Sequence, residues 1–144
     1  DMAYAIMEEM GIAHLAERPY SRISGGQRQL VLIARTLCQN PKAILFDEPT
    51  SHLDFKNQAL VMKTLRNLSA KGMTIIMTSH SPAHAWQVSN KTVLMGKGGI
   101  IAQGTPQQVM TAENLEKTYD VRVKIHKSEA DETAFFCEPA FEDL

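Results

Sequence analysis

Three short stretches carry residue types that could bind a phosphate or direct water at it. The first is Ile23-Ser24-Gly25-Gly26-Gln27-Arg28, at the mouth of a helix. Its glycines let a ligand approach the backbone, Ser24 can cap or hydrogen-bond, and the first N–H groups of a helix attract an anion. A plain cap and turn uses the same residues. The second stretch, Ala43-Ile44-Leu45-Phe46-Asp47-Glu48-Pro49-Thr50, is an apolar strand ending in two adjacent carboxylates. Open α/β sheets place ligands at that edge. One acid can hold Mg²⁺ directly or through water while the other polarises an attacking water; a solvated acidic turn has the same composition. The third is His80, 32 residues after Glu48 and just beyond a second apolar strand. A parallel crossover would bring it to the same edge, where a neutral imidazole can touch a phosphate and orient the water. A polar loop histidine is the plainer alternative. His80 and His84 also stand four apart, as metal pairs do, but no third ligand accompanies them.

The elements around these residues follow from periodicity and caps. A helix is expected from Asp1 to about Leu15, then a polar loop from Glu17 to Ser24 containing Pro19. Leu30, Ile33, Ala34 and Leu37 form one apolar stripe of a helix that ends at Asn40-Pro41. Ala43–Phe46 reads as a buried strand, Phe55–Ala70 as a helix stopped by Lys71-Gly72, and Thr74–Thr78 as a strand rich in β-formers. Strand, helix, strand is the pattern of a parallel βαβ unit. Ser81-Pro82 signals a helix start running to about Val88. Thr92–Met95 and Ile100–Gln103, joined by Gly96-Lys97-Gly98-Gly99, read as a hairpin; Thr105 and Thr111 open two further helices, the second to about Tyr119.

The 144 residues fit one domain, and 44% apolar content suffices for a globular core. The longest apolar runs are far shorter than the roughly 20 residues that span a bilayer, and the acidic, amphipathic opening Asp1–Met10 does not resemble a signal peptide. Cys38 and Cys137 form no CxxC, so neither a zinc site nor a disulfide framework is indicated and a reducing compartment is the simpler expectation. Net charge is −1 but unevenly spread: residues 1–127 hold fifteen Lys and Arg against ten acids, whereas six acids and no Lys or Arg follow Lys127. The surplus of positive charge suits a nucleotide-binding surface or an ordinary solvated one, and is too dispersed for a nucleic-acid footprint. The acidic stretch 128–144 is expected to be a frayed or partner-docking tail.

Taken together, ISGGQ, ILFDEP, SHLD (Ser51-His52-Leu53-Asp54) and SH (Ser79-His80) stand in the order and approximate spacing of ABC-type ATPases, and the chain resembles that family from about Met10 through Ile125. The phrase Pro49-Thr50-Ser51-His52-Leu53-Asp54-Phe55 and the hairpin before Gly104-Thr105-Pro106 are similar to bacterial importers of iron-siderophore, haem, vitamin B12 or metal-oxyanion type. The resemblance implies an α/β fold: the C-terminal part of a P-loop NTPase domain, with a mainly parallel sheet, flanking helices and a terminal hairpin. It implies that residues 1–127 are a partial ABC ATPase domain. Asp47 would be the Walker B carboxylate for Mg²⁺, Glu48 the general base and His80 the switch histidine. Asp54 would be the D-loop acid coupling two sites. Ser24, Gly25, Gly26 and Gln27 would form the signature that contacts the γ-phosphate of ATP on the other subunit; Ile23 stands where Leu is commoner. The implied cofactors are ATP and Mg²⁺. The implied partners are a second ATPase subunit in a head-to-tail dimer, an integral membrane permease and, indirectly, a substrate-binding protein, with no nucleic acid. The place would be cytoplasmic, peripheral on the inner face of the cell membrane.

A P-loop needs Gly-x-x-x-x-Gly-Lys-Ser/Thr after a strand, and none of the eight glycines satisfies it. The family's Gln loop, which would lie upstream, is also missing. Positioning is most of catalysis in phosphoryl transfer, so residues 1–144 alone are expected to hydrolyse ATP negligibly and to expose a sheet edge. Two functions follow: an ATP-hydrolysing importer subunit represented by this portion, or a catalytically inactive interaction module pairing with a complete subunit. A chromosome-maintenance ATPase would need coiled-coil arms and a basic patch, neither of which flanks the motifs.

Overall fold

The computed structural model describes residues 2–127 and 135–141. The chain divides into two compact units, Asp1–Ser79 and His80–Leu144.

In the first unit, α1 covers only Met2–Glu9, not the stretch to Leu15 that periodicity predicts. Gly11 takes φ 71°, a left-handed conformation that ends the helix, and a 3₁₀ turn at Ala13–Leu15 follows. The loop before Ser24 contains a second 3₁₀ turn, Tyr20–Arg22. The helix α2, Gly25–Leu37, buries Leu30, Ile33 and Ala34 from the predicted stripe, and α3, Phe55–Ala70, buries Val61, Met62, Leu65 and Leu68. α3 stops as the sequence indicates, with Lys71 as cap and Gly72 at φ 90°.

The strand β1, Ala43–Phe46, precedes α3 and β2, Thr74–Met77, follows it; the two pair in parallel with Leu45 opposite Ile76. One face of this pair carries Ile44, 4% exposed; the other carries Leu45 and Ile76, 75% and 57% exposed. Apolar side chains left outward on a two-stranded parallel pair are unusual, since parallel sheets ordinarily have both faces covered.

The second unit begins with α4, Pro82–Val88, capped by Ser81, whose hydroxyl accepts the His84 N–H. The hairpin is β3, Thr92–Gly96, with β4, Gly99–Gly104, and Gly99 at φ 122° makes the turn. The short helices α5, Pro106–Val109, and α6, Ala112–Tyr119, follow their predicted Thr105 and Thr111 caps.

Two strands lie beyond the predicted elements: β5, Val123–Lys127, pairs antiparallel with β6, Phe135–Pro139. Phe135 is buried with Trp86, Leu94, Val109, Met110 and Leu115, and its ring stacks on Trp86 at 4.6 Å. Part of the acidic C-terminal stretch thus supplies core; Glu129, Asp131, Glu132, Glu142 and Asp143 lie outside the described residues. Glu138, on β6, faces His126 at 3.1 Å. Among the described residues, parallel pairing is confined to β1 and β2, and the other two strand pairs are antiparallel.

Burial lowers the pKa of His84 below the ordinary histidine value of 6.5. The fold therefore favours the neutral ring. Above pH 6.5 both states are neutral and the full stability is present. As pH falls through that value toward the lowered one, the unfolded chain takes up the proton first and stability drops. Melting temperature measured from pH 8 to pH 5 is expected to fall, and His84→Gln is expected to shallow that fall.

Candidate active site

The C-terminal ends of β1 and β2 gather the carboxylates. Parallel register places Phe46 beside Met77, so the residues that follow each strand, Asp47 and Thr78, emerge together. Thr78 then bridges both acids: its hydroxyl donates to Asp47 Oδ1 at 2.6 Å and accepts the Glu48 N–H at 2.9 Å. A hydroxyl can donate once and still accept, so one side chain satisfies both. Glu48 sits at φ 44°, a left-handed conformation that costs a non-glycine residue on the order of 1 kcal/mol or more, and the Thr78 contact helps hold it there. Ser51, three residues on, donates to Glu48 Oε2 at 2.5 Å. The turn between them closes through the Ser51 N–H on the Glu48 carbonyl.

Thr78 was visible in the sequence only as a β-former at the end of a strand. Its bridging role needs the β1–β2 register, which no local pattern carries. Thr78→Val keeps shape and volume but removes the hydroxyl, leaving the Glu48 N–H and Asp47 Oδ1 without it. The expected cost is about 1 kcal/mol of stability. Thr78→Ser should restore it, measured by thermal melt.

The chemistry of these donors fits a small hard cation. Asp47 is exposed at a strand's C-terminal end, and Thr78 engages only one of its carboxylate oxygens; oxygen ligands of this kind suit Mg²⁺, which keeps much of its water. Among the described residues, no group of three or more His, Cys, Asp or Glu is placed to hold a metal ion by protein ligands alone.

The glycine segment forms a second cluster. Ser24 is the N-cap of α2: its hydroxyl accepts the Gln27 N–H at 3.3 Å, and Gln27 Oε1 accepts the Ser24 N–H at 3.0 Å. This reciprocal box organises the first turn. It uses a lone pair of the Ser24 hydroxyl and not its proton, so cap and anion donor are compatible roles for the same residue. Arg28 Nε reaches back to the Ile23 carbonyl at 3.2 Å, and its guanidinium lies 5.6 Å from the centre of the Tyr20 ring. Ile23 itself is buried, which is why an apolar residue is required there.

Asp54 is the N-cap of α3 and accepts the Asn57 N–H at 2.8 Å. The loop before it is pinned by Gln58, whose amide donates to the Leu53 carbonyl at 3.0 Å, while His52 takes φ 61°. The residues flanking Asp54 pack on the glycine segment: a Cβ built on Gly25 would lie 3.8 Å from Leu53 Cδ2, and one built on Gly26 would overlap Asn57.

His80 is the first residue of the second unit; its carbonyl accepts the Tyr119 hydroxyl at 3.1 Å. Of the eight residues singled out from sequence, the first unit thus brings Asp47 and Glu48 together at one strand edge, and Ser24, Gly25, Gly26, Gln27 and Asp54 together at two facing helix starts. Thr78 and Asn57 join them as residues that no motif marked, and Ser51, quoted only as part of the SHLD stretch, joins them as the donor to Glu48.

Comparison with known proteins bears on what this arrangement is. Residues 7–83 match the family model described as "AAA domain, putative AbiEii toxin, Type IV TA system". The chain is 38% identical over 126 residues to the hemin import ATP-binding protein HmuV of Hahella chejuensis, covering 83% of this chain and 49% of that protein. It is 37% identical over 118 residues to the arginine transport ATP-binding protein ArgV of Corynebacterium glutamicum, covering 82% of this chain and 46% of that protein. Among solved structures, "An inward-facing conformation of a putative metal-chelate type ABC transporter" superposes with a TM-score of 0.89 at 33% identity, covering 98% of this chain and 57% of the other. The chain spans about half the length of the curated relatives it matches.

Proposed function

The chain belongs to the AAA-domain family and is the C-terminal portion of an ABC transporter ATP-binding protein; on that premise we propose that the full-length protein hydrolyses ATP to drive uptake of an iron chelate, haem, cobalamin or metal oxyanion. The observation that supports the hydrolytic reading is the Thr78 bridge between the Asp47 carboxylate and the Glu48 backbone N–H, which with Ser51 on the Glu48 carboxylate sets two acids at one strand edge. The uptake reading is supported by the likeness to a hemin import protein and to a metal-chelate type transporter.

Asp47 would hold Mg²⁺, which would supply neutralisation of the charge on bound ATP. Glu48 takes the proton of the attacking water, its carboxylate oriented by Ser51. His80 helps orient that water. The first-turn N–H groups of α2 and the Ser24 hydroxyl meet the γ-phosphate of ATP held by a second copy, with Gly25 and Gly26 allowing the close approach. Asp54 couples the two sites. The partners are that second ATPase subunit, head to tail, an integral membrane permease and through it a substrate-binding protein. The place is the cytoplasmic face of the membrane; no helix among the described residues is long and apolar enough to cross it.

The test is ATP turnover by the full-length protein with its permease, alongside residues 1–144 alone. Turnover by the former that depends on Mg²⁺ and on Glu48, with none by the latter, is the expected result. Full-length protein that binds a complete ATPase subunit without turnover of its own would favour the inactive interaction module instead. Substrate choice is tested in reconstituted vesicles offered haem, a ferric chelate, molybdate or arginine; uptake of arginine alone would overturn the metal-chelate assignment.

A further inference from the structure

Asn57 touches two of the described motifs at once. It is the third residue of α3, and its backbone N–H makes the cap bond to Asp54 Oδ1 that any residue there would make. Its side chain does more: Nδ2 donates to Asp54 Oδ2 at 2.7 Å, so a single residue holds both oxygens of the carboxylate. The other side of Asn57 fills the space that Gly26 leaves. A Cβ on Gly26 would fall 2.2 Å from Asn57 Cγ, 2.3 Å from its Cβ and 2.5 Å from its Oδ1. Gly26 is buried, so this is backbone of α2 packed directly on the asparagine.

We propose that Asn57 is a positioning residue that latches the signature segment to the D-loop acid, so that the first turn of α2 and the Asp54 carboxylate shift as one body. The inference rests on the reading of this chain as part of an ATPase. Side-chain chemistry narrows the choice at this position. Alanine and serine are too short to reach Oδ2 and fill the space beside Gly26. Glutamine is longer by a methylene in a space already at contact. Aspartate has the same shape but sets a carboxylate against the Asp54 carboxylate in place of a donor. A negative charge in the first turn of a helix is otherwise favourable, so Asn57→Asp separates the latch from helix stability. In a space-filling role aspartate would be mild and alanine worse; in a latching role aspartate is at least as damaging as alanine.

The experiment measures ATP turnover and melting of the full-length protein in its transporter complex for wild type, Asn57→Asp, Asn57→Ala and Glu48→Gln. The latch predicts that Asn57→Asp lowers kcat about fivefold or more with Tm held within about 2 °C, and that Asn57→Ala lowers it by no more than Asn57→Asp does. Asn57→Asp at the wild-type rate, or clearly faster than Asn57→Ala, overturns it. Hydrogen exchange on the same proteins provides a readout independent of turnover. Amides 25–28 are expected to exchange faster in Asn57→Asp together with amides 55–58, and acceleration confined to 55–58 overturns the latch. If wild type and Glu48→Gln turn over ATP equally, the proposed function fails, and the exchange result still decides the latch.

Discussion

Replacing Glu48 with glutamine is expected to lower ATP turnover of the full-length protein by about 10²–10⁴-fold, the range that removal of a positioned general base produces. Glutamine keeps the length of the side chain and an oxygen able to accept from Ser51, which donates to Glu48 Oε2. The backbone bond from Glu48 N–H to Thr78 is indifferent to the change. What disappears is basicity. KM for ATP should therefore stay within a few-fold while kcat collapses, the signature of an interaction that matters in the transition state and not in binding. Steady-state kinetics on purified complex decides it; equal loss in ATP affinity would instead assign Glu48 to binding.

Gly26→Ala should destabilise the first unit although it places alanine in a helix. Alanine ordinarily stabilises a helix by up to about 1 kcal/mol over glycine. Here its methyl would lie 2.2–2.3 Å from Asn57 Cγ and Cβ, atoms too close to the α3 backbone to swing away. Overpacking of this kind costs typically about 1–3 kcal/mol, so the clash outweighs the propensity gain and the net sign is destabilising. Gly25→Ala is the matched control, because its methyl would meet Leu53 Cδ2 at an ordinary 3.8 Å. Thermal melts of the two variants are expected to diverge, with Gly26→Ala lower by several degrees. A Gly26→Ala protein that melts with wild type would show that α2 and α3 can separate freely.

Much of this architecture was legible because it is locally encoded. The helix α3 and the strand β1 occupy the predicted Phe55–Ala70 and Ala43–Phe46, and Ser81, Thr105 and Thr111 cap the helices they announce. Cap chemistry and apolar period act within a few residues, so one chain read in order reveals them. The misses are of another kind. Gly11 ends α1 early because a left-handed residue outweighs an amphipathic pattern that continues past it. β5 and β6 pair across an intervening segment, and β6 sits in a stretch whose acidity resembles a tail although Phe135 is core. For the site, motif residues could be named from their order alone, whereas Thr78 and Asn57 owe their roles to register and to helix packing. Both hold motif residues in place from a neighbouring element, and such support leaves no periodic trace.

The outward Leu45 and Ile76 bear on calorimetry. Heat capacity rises on unfolding chiefly because buried apolar surface becomes hydrated. Two large side chains that are already wet in the folded state add little to that rise. Covering that face should therefore raise the heat-capacity increment of unfolding by on the order of 100 cal/mol/K, at about 0.45 cal/mol/K for each Å² of apolar surface removed from water.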